Sequence, residues 1–474
     1  MARTEESELL FTREGHPPIA QVIPMALQHV FASVVGMVTP ALIVASACNM
    51  TPEETNMLIQ ASLILSGVST LIQSYPLFGR MGASLPIVMG ASFAYVPTLV
   101  SIGANYGYAT IIGAELIGAT VSILFGVFLK RLRKFFPPVV TGTVVLTIGM
   151  SLYSVGVNYM AGGAGTENFG SLQSWIIAAV TLIACIFFAN FTKGITQLAS
   201  ILFGMIVGYI ASLLLGAVDF GSLEGVSWFA LPQFMPQGIN FEPAAITTLA
   251  IVFIPEVVEA LGDYTSLCVG ALDRQPTTKE LRRGIISQGI MTSLGSLIGG
   301  IPTATYGQNV GIVITNRVIN RTVFGAIGSM LIIAGFIPKF AALIQTIPQP
   351  VIGGATINVF GVIAMTGVRV ICDKGLTQRR ATIAGTSVAL GIGIANVAGC
   401  LSGPGMHPLI EPIFGSAIVV PTFVAIILNL TLPGKDIADE SELCDIAHAS
   451  GYEFGQARVA VIPRLVEPLR KDLS

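Results

Sequence analysis

Three acids stand in the stretch "PEVVEALGDYTS" (255–266): Glu256, Glu259 and Asp263. Their spacing, three residues and then four, puts all of them on one face of a helix. The residues around them are mostly apolar. A charged side chain at the centre of a bilayer costs at least about 2.5–3.5 kcal/mol on insertion scales. Acids in that position usually face a cavity and commonly relay protons. The plainer alternative is structural, with the acids capping helix ends that lie across from them. Glu256, beside Pro255 and nearer the end of its span, is the weakest of the three.

Two amides form the next group. "TYGQNVGIVITN" (305–316) carries Gln308 and Asn309 side by side, with Gly307 before them and Gly311 after. The Gln308 amide has one acceptor oxygen and two donor hydrogens, which suits the alternating donor–acceptor edge of a nucleobase. Phe93, in "LPIVMGASFAYVP" (85–97), offers a flat apolar face for stacking. Simpler roles compete. Gln308 and Asn309 could satisfy an interrupted backbone, and Phe93 could face lipid or fill a core. His29, in "ALQHVFA" (26–32), is the only histidine deep in an apolar run and reads first as a hydrogen-bonding partner in the core. Glu115, another lone acid in an apolar run, is given no function.

These residues need elements to position them, and composition says which kind. The chain has 474 residues, of which 53% are hydrophobic and only 11% charged, against roughly 25% charged in soluble domains. Apolar runs of spanning length, about 20 residues each, follow one another from about 20 to 432. The protein is therefore expected to be an all-helical polytopic membrane protein. The first run follows a polar lead without a small-residue cleavage pattern, so it reads as a retained span and not a signal peptide. A net charge of −2 gives no sign of a nucleic-acid partner. The six cysteines (Cys48, Cys185, Cys268, Cys372, Cys400 and Cys444) show no paired spacing and suit apolar packing. No metal-ligand cluster, Ser/His/Asp set or phosphate loop is seen, so neither a cofactor nor enzyme chemistry is expected.

Fourteen spans are expected, near 20–46, 55–76, 84–101, 107–129, 135–156, 173–192, 196–217, 244–271, 284–301, 303–316, 322–345, 349–368, 380–401 and 411–432. Gaps after even-numbered spans hold the bases: Arg80, Lys130, Arg131, Arg133, Lys134, Lys193, Arg274, Lys279, Arg282, Arg283, Arg317, Arg321, Arg369, Lys374, Arg379 and Arg380. The opposite side holds acids such as Glu53, Glu54, Glu167, Asp219 and Glu224, with Lys339 its only base. Cytoplasmic loops retain Lys and Arg, so both termini are expected in the cytoplasm of a multi-pass cell-membrane protein. The polar tail from about 434 is too short for an appended domain of ordinary size.

An internal repeat runs through this ladder. "PVVTGTVVLTIG" (138–149) matches "PVIGGATINVFG" (350–361), with Pro138, Gly142 and Gly149 on Pro350, Gly354 and Gly361. Phe93 and Gln308 lie at nearly the same separation. Seven spans per half is odd, so the halves must lie in opposite orientations. That is an inverted repeat, as in many secondary transporters. The third and tenth spans are the shortest. Both read as an extended piece followed by a half-helix, beginning near Phe93 and Asn309. Interrupted spans at corresponding positions point to a substrate site, where helix N-termini present free N–H donors and partial positive charge.

The chain resembles the nucleobase–ascorbate transporters, also called nucleobase:cation symporter-2, over roughly 20–432. "QNVGIVITNR" (308–317) is similar to the family signature, "EALGD" (259–263) to its acidic span-eight motif, "GASFA" (90–94) to its span-three motif and "LQH" (27–29) to its span-one motif. The resemblance implies fourteen spans in two inverted seven-span repeats, an elevator-like movement of a core domain against a gate domain, and a homodimer. It implies a cytoplasmic N-terminus (1–19), a core domain from 20–130 and 241–346, a gate domain from 131–240 and 347–433, and a cytoplasmic tail (434–474). It implies that Phe93, Glu259, Gly307 and Gln308 bind the base. It also implies that Glu259, Asp263, His29 and Asn309 couple protons or support the site, with H+ as the coupling ion. Asn316 departs from the signature, which has Thr there. Gln288 stands where many members have Asp.

By the same resemblance, Gln308 and Asp263 imply a purine such as xanthine or uric acid. The lead Tyr306–Gly307 leans toward uracil, which stays as the alternative. An anion transporter or channel on the same fold is the rival of another class. It is disfavoured because the expected site carries no concentration of positive charge.

Overall fold

The computed structural model describes residues 8–433, apart from 133–134, 164–165, 167, 224, 374, 398, 402, 404–405, 407–409 and 411–413. Arg133, Lys134, Glu167, Glu224, Lys374, Cys444 and the tail from 434 therefore lie outside the described residues. The other five cysteines are free thiols.

The described chain is mostly helical. Seven helices are long and apolar enough to cross a membrane: Ile19–Ala47, Pro52–Ser74, Tyr108–Val127, Pro138–Met160, Leu172–Phe191, Pro243–Leu272 and Gln349–Cys372. A bent pair, Arg321–Gly335 and Pro338–Gln345, raises the number to eight if it counts as one span. Ser200–Leu214 and Val419–Thr431 are shorter apolar helices, while Thr278–Ser296 and Gln378–Asn396 are longer and less apolar.

Two of the departures from the expected boundaries have a clear local reason. The stretch 322–345, expected as one span, bends by 78° between its two helices. Pro338 has no N–H to continue the first helix, and it holds Ile337 in an extended conformation (φ −107°, ψ 92°). The ninth segment, expected from 284, begins at Thr278. The Thr277 hydroxyl accepts from the Glu280 N–H (3.2 Å), and the Glu280 carboxylate accepts from the Thr277 N–H (2.8 Å). This capping box starts the helix within a charged sequence.

Small residues let the long helices cross closely. The repeat-bearing helices, Pro138–Ser151 and Gln349–Cys372, pack against each other. A Cβ on Gly142 would sit 2.8 Å from the Gly367 carbonyl oxygen. Pro52–Ser74 likewise packs on Arg321–Gly335, where a Cβ on Gly67 would lie 2.5 Å from the Gly328 oxygen. Close backbone approach of this kind is how membrane helices associate without a hydrophobic driving force between them.

Two short strands interrupt the helices, β1 (Met89–Ala91) and β2 (Thr303–Thr305). They pair antiparallel, Met89 with Thr305, Gly90 with Ala304 and Ala91 with Thr303. Bonds from Tyr306 N–H to the Val88 carbonyl (3.0 Å) and from Ser92 N–H to the Pro302 carbonyl (3.4 Å) extend the pairing at either end. Backbone in such a setting must be satisfied from within the protein. Thr70 serves the outer edge of β1, its hydroxyl accepting from the Met89 N–H at 2.9 Å. Thr292 serves the outer edge of β2, accepting from the Thr303 N–H at 3.4 Å.

Candidate functional site

Each strand leads into a helix aimed away from the paired backbone. After β1 the chain passes Ser92 and Phe93 before Val96–Tyr106 begins, with Pro97 in its first turn. After β2 the helix Gly307–Asn316 starts immediately. The first of these helices therefore begins a few residues later than the sequence reading placed it, and the second slightly earlier. Proline favours the first turn because its missing N–H is not needed there.

Four of the expected site residues meet in one cavity of about 100 Å³. Its lining includes Phe93, Glu259, Thr305, Gly307 and Gln308, together with Ile148, Val359 and Ile363. One wall is polar and comes from the strand–helix junctions and the Glu259 face of Pro243–Leu272. The opposite wall is apolar and comes from the two repeat-bearing helices. Phe93 is 8% exposed and is held edge-on by Phe360, at 5.3 Å between ring centroids and 78° between planes. This contact steadies the ring where it borders the cavity.

The acidic face divides its work. Glu259 lines the cavity. Asp263, one turn on, accepts a hydrogen bond from the Thr305 hydroxyl at 2.6 Å. A Cβ placed on Gly307 would come 3.3 Å from Asp263 Oδ1, so glycine there lets the helix start pass close to that carboxylate. Glu256 is buried and is approached by the Ser92 side chain. The Ser92 hydroxyl also accepts from the Ala94 N–H (3.2 Å), which fixes the turn next to Phe93.

His29 and Asn309 lie behind the cavity and do not line it. The Asn309 amide donates to His29 Nδ1 at 3.1 Å and to the His29 carbonyl at 3.3 Å. Asn316, at the far end of the same helix, donates to Gln28 Oε1 at 3.2 Å. Adjacent residues of the first long helix thus hold both ends of Gly307–Asn316. The departure from Thr at 316 is filled by an amide pair. Gln288 and Glu115 are both buried. Glu115 has no side-chain hydrogen-bond partner among the described residues, and Gln288 is approached by the Tyr95 hydroxyl.

Sequence reasoning missed Ile148, Val359, Ile363 and Phe360, although it had found the repeat motifs on their helices. It also missed Thr70, Thr292 and Gln28. Of these only Gln28 carried a signal, as the neighbour of His29.

Comparison with known proteins gives the family of the chain. A family model described as Permease family (Xan_ur_permease) matches residues 20–400. The chain is 33% identical over 446 residues to "Putative purine permease CPE0397" of Clostridium perfringens, covering 93% of this chain and 96% of that protein. It is 34% identical to "Uric acid permease PucK" of Bacillus subtilis, covering 88% and 96%. It is 31% identical to "Xanthine permease XanQ" of Escherichia coli K12, covering 90% and 94%. Its fold is similar to the transmembrane domain of the cyanobacterial bicarbonate transporter BicA, with TM-score 0.54 and 16% identity, covering 89% of this chain and all of that one. It is also similar to murine Slc26a9, an anion transporter, with TM-score 0.55 and 10% identity, covering 86% and 68%. At such identities these structures speak to fold alone. The chain is an integral membrane protein and not an enzyme; it belongs to the Xan_ur_permease family of permeases.

Proposed function

We propose that the protein carries a nucleobase across the membrane, a purine such as xanthine or uric acid, in symport with protons. The observation that carries this reading is the single cavity in which Phe93, Glu259, Gly307 and Gln308 meet. A flat heterocycle fits between the Phe93 ring and the apolar wall. Glu259 and Gln308 supply complementary hydrogen bonds along its edge, and Glu259 also holds the coupling proton. Asp263, Asn309 and His29 keep this arrangement in place. The names of the relatives, uric acid, xanthine and purine permeases, support a purine over uracil.

In this reading the fourteen segments form two inverted repeats with both termini in the cytoplasm. The polar wall belongs to a core domain and the apolar wall to a gate domain. An elevator-like shift of one past the other carries the base across, within a homodimer. The decisive experiment is uptake of labelled xanthine into cells or proteoliposomes with and without a protonophore. Accumulation abolished by the protonophore and absent in Glu259→Gln, which still reaches the membrane, is expected. Uphill uptake by Glu259→Gln at the wild-type level would remove this residue from coupling.

A further inference from the structure

Away from the cavity, two arginines converge on one serine. Arg13 donates to both the carbonyl and the hydroxyl of Ser84. Arg321, the first residue of Arg321–Gly335, donates to the same hydroxyl at 2.6 Å. Neither has a carboxylate at ion-pair distance; among the described residues the ion pairs are Arg274–Glu280 and Arg317–Asp273. The Nε of each is buried without a hydrogen-bond partner. Burial, and then the charge of Arg321, hold the Arg13 guanidinium below its ordinary pKa. The two facing cations repel each other, and the carboxylates of Glu280 and Glu14 offset this only from beyond ion-pair distance. They stay together here because the chain holds them.

The surrounding segments are tied for this purpose. The Asn320 side chain donates to the Leu9 carbonyl (2.9 Å) and the Gly15 carbonyl (3.2 Å), and the Ile319 N–H donates to the Leu10 carbonyl (3.1 Å). These bonds dock the segment bearing Arg13 against the loop before Arg321. Ser84 is held at φ 60°, a left-handed conformation that is uncommon for serine. The loop leading to Ser84 projects apolar side chains: Tyr75 is 45% exposed, Leu77 43% and Phe78 87%. Arg80 follows them and is exposed. Tyr75 lies within reach of the Arg321 charge, and exposed aliphatic and aromatic side chains in a loop that leads to the guanidinium pair match the two halves of a phospholipid, acyl chain and headgroup. A free ion needs only the second.

We propose that Arg13, Arg321 and Ser84 form a binding site for the phosphate of an anionic phospholipid headgroup, with Leu77 and Phe78 against its acyl chain. Guanidinium groups bind phosphate with paired, charge-assisted hydrogen bonds, and an anion between them removes the repulsion.

The test uses the purified full chain and needs no transport. Native mass spectrometry in detergent follows titration with phosphatidylglycerol, phosphatidylcholine or inorganic phosphate. The wild type is expected to hold one phosphatidylglycerol in preference to phosphatidylcholine. Arg13→Gln with Arg321→Gln should weaken that binding by about 30-fold, from the loss of two basic groups at the membrane surface. Arg13→Lys with Arg321→Lys, which keeps both charges but not the guanidinium fork, should recover part of it and shows that the loss is not one of folding. Equal binding of the two lipids by the wild type would overturn the proposal. So would undiminished phosphatidylglycerol binding in the double glutamine variant, or inorganic phosphate bound as tightly as the lipid.

Discussion

The Asn309 amide nitrogen sits 3.1 Å from His29 Nδ1 and 3.3 Å from the His29 carbonyl oxygen. The carbonyl can only accept, so the amide must turn its NH2 group toward it. His29 Nδ1 then accepts as well, and the neutral imidazole carries its hydrogen on Nε2. The ring lies against Phe324 with centroids 5.5 Å apart. His29 is thus tied to the cavity through the helix that bears Gln308.

Asn309→Ala is therefore expected to destabilise the protein by about 1–3 kcal/mol, the usual cost of leaving buried polar groups without partners. Thermal unfolding in detergent reads this directly. A variant that melts with the wild type would show that the contact contributes nothing to stability.

Thr305→Val keeps the shape of the side chain and removes its hydrogen bond to Asp263. Base binding should weaken and stability should fall by about 1–3 kcal/mol, while Thr305→Ser should keep most of both. Equal affinities for Thr305→Val and Thr305→Ser in a binding assay would refute a role for the hydroxyl.

Gly90→Ala is expected to disturb packing directly behind the site. The added methyl would lie 2.6 Å from Met37 Cγ and 2.8 Å from the Tyr306 ring. Overpacking of this sort costs about 1–3 kcal/mol. It would also push Tyr306, which precedes the helix start at Gly307. Lower thermal stability together with weaker base binding should result, and an unchanged melting curve would contradict it.

Gln308→Glu replaces the two amide donors with an acceptor-only group. Competition by a panel of purines and pyrimidines against labelled xanthine should shift toward uracil. An unchanged competition profile would reject Gln308 as the residue that selects the base.

Thr277→Ala breaks the capping box that starts Thr278–Ser296. Loss of such a cap costs about 0.5–2 kcal/mol, to be read as a lower melting temperature with base affinity retained. Loss of affinity without loss of stability would place Thr277 in the site, 

against the geometry.

Much of the site was legible because membrane burial makes polar residues conspicuous. Glu259, Gln308 and Asn309 stand out against apolar neighbours, and Gly307 and Phe93 flank or mirror them across the repeat. Phe93, Glu259, Gly307 and Gln308 line one cavity. The apolar wall was not legible, since Ile148, Val359 and Ile363 look like any other lipid-compatible side chains. The bend at Pro338 was overlooked because the hydropathy of 322–345 is continuous. The start at Thr278 was overlooked because Lys279, Glu280, Arg282 and Arg283 masked a helix whose signal was its cap.

The ladder between β1 and β2 joins parts of the chain made far apart in time. While the ribosome is still adding the residues before Thr303, Met89–Ala91 has no neighbouring strand, and unpaired backbone in hydrocarbon costs several kcal/mol per group. The early segment must wait in a sheltered or hydrated place, at the insertion machinery or at the membrane surface, until its mate is synthesised. Closure of this ladder is thus a late event in biogenesis, and a chain truncated before residue 303 would present a raw edge for quality control to find.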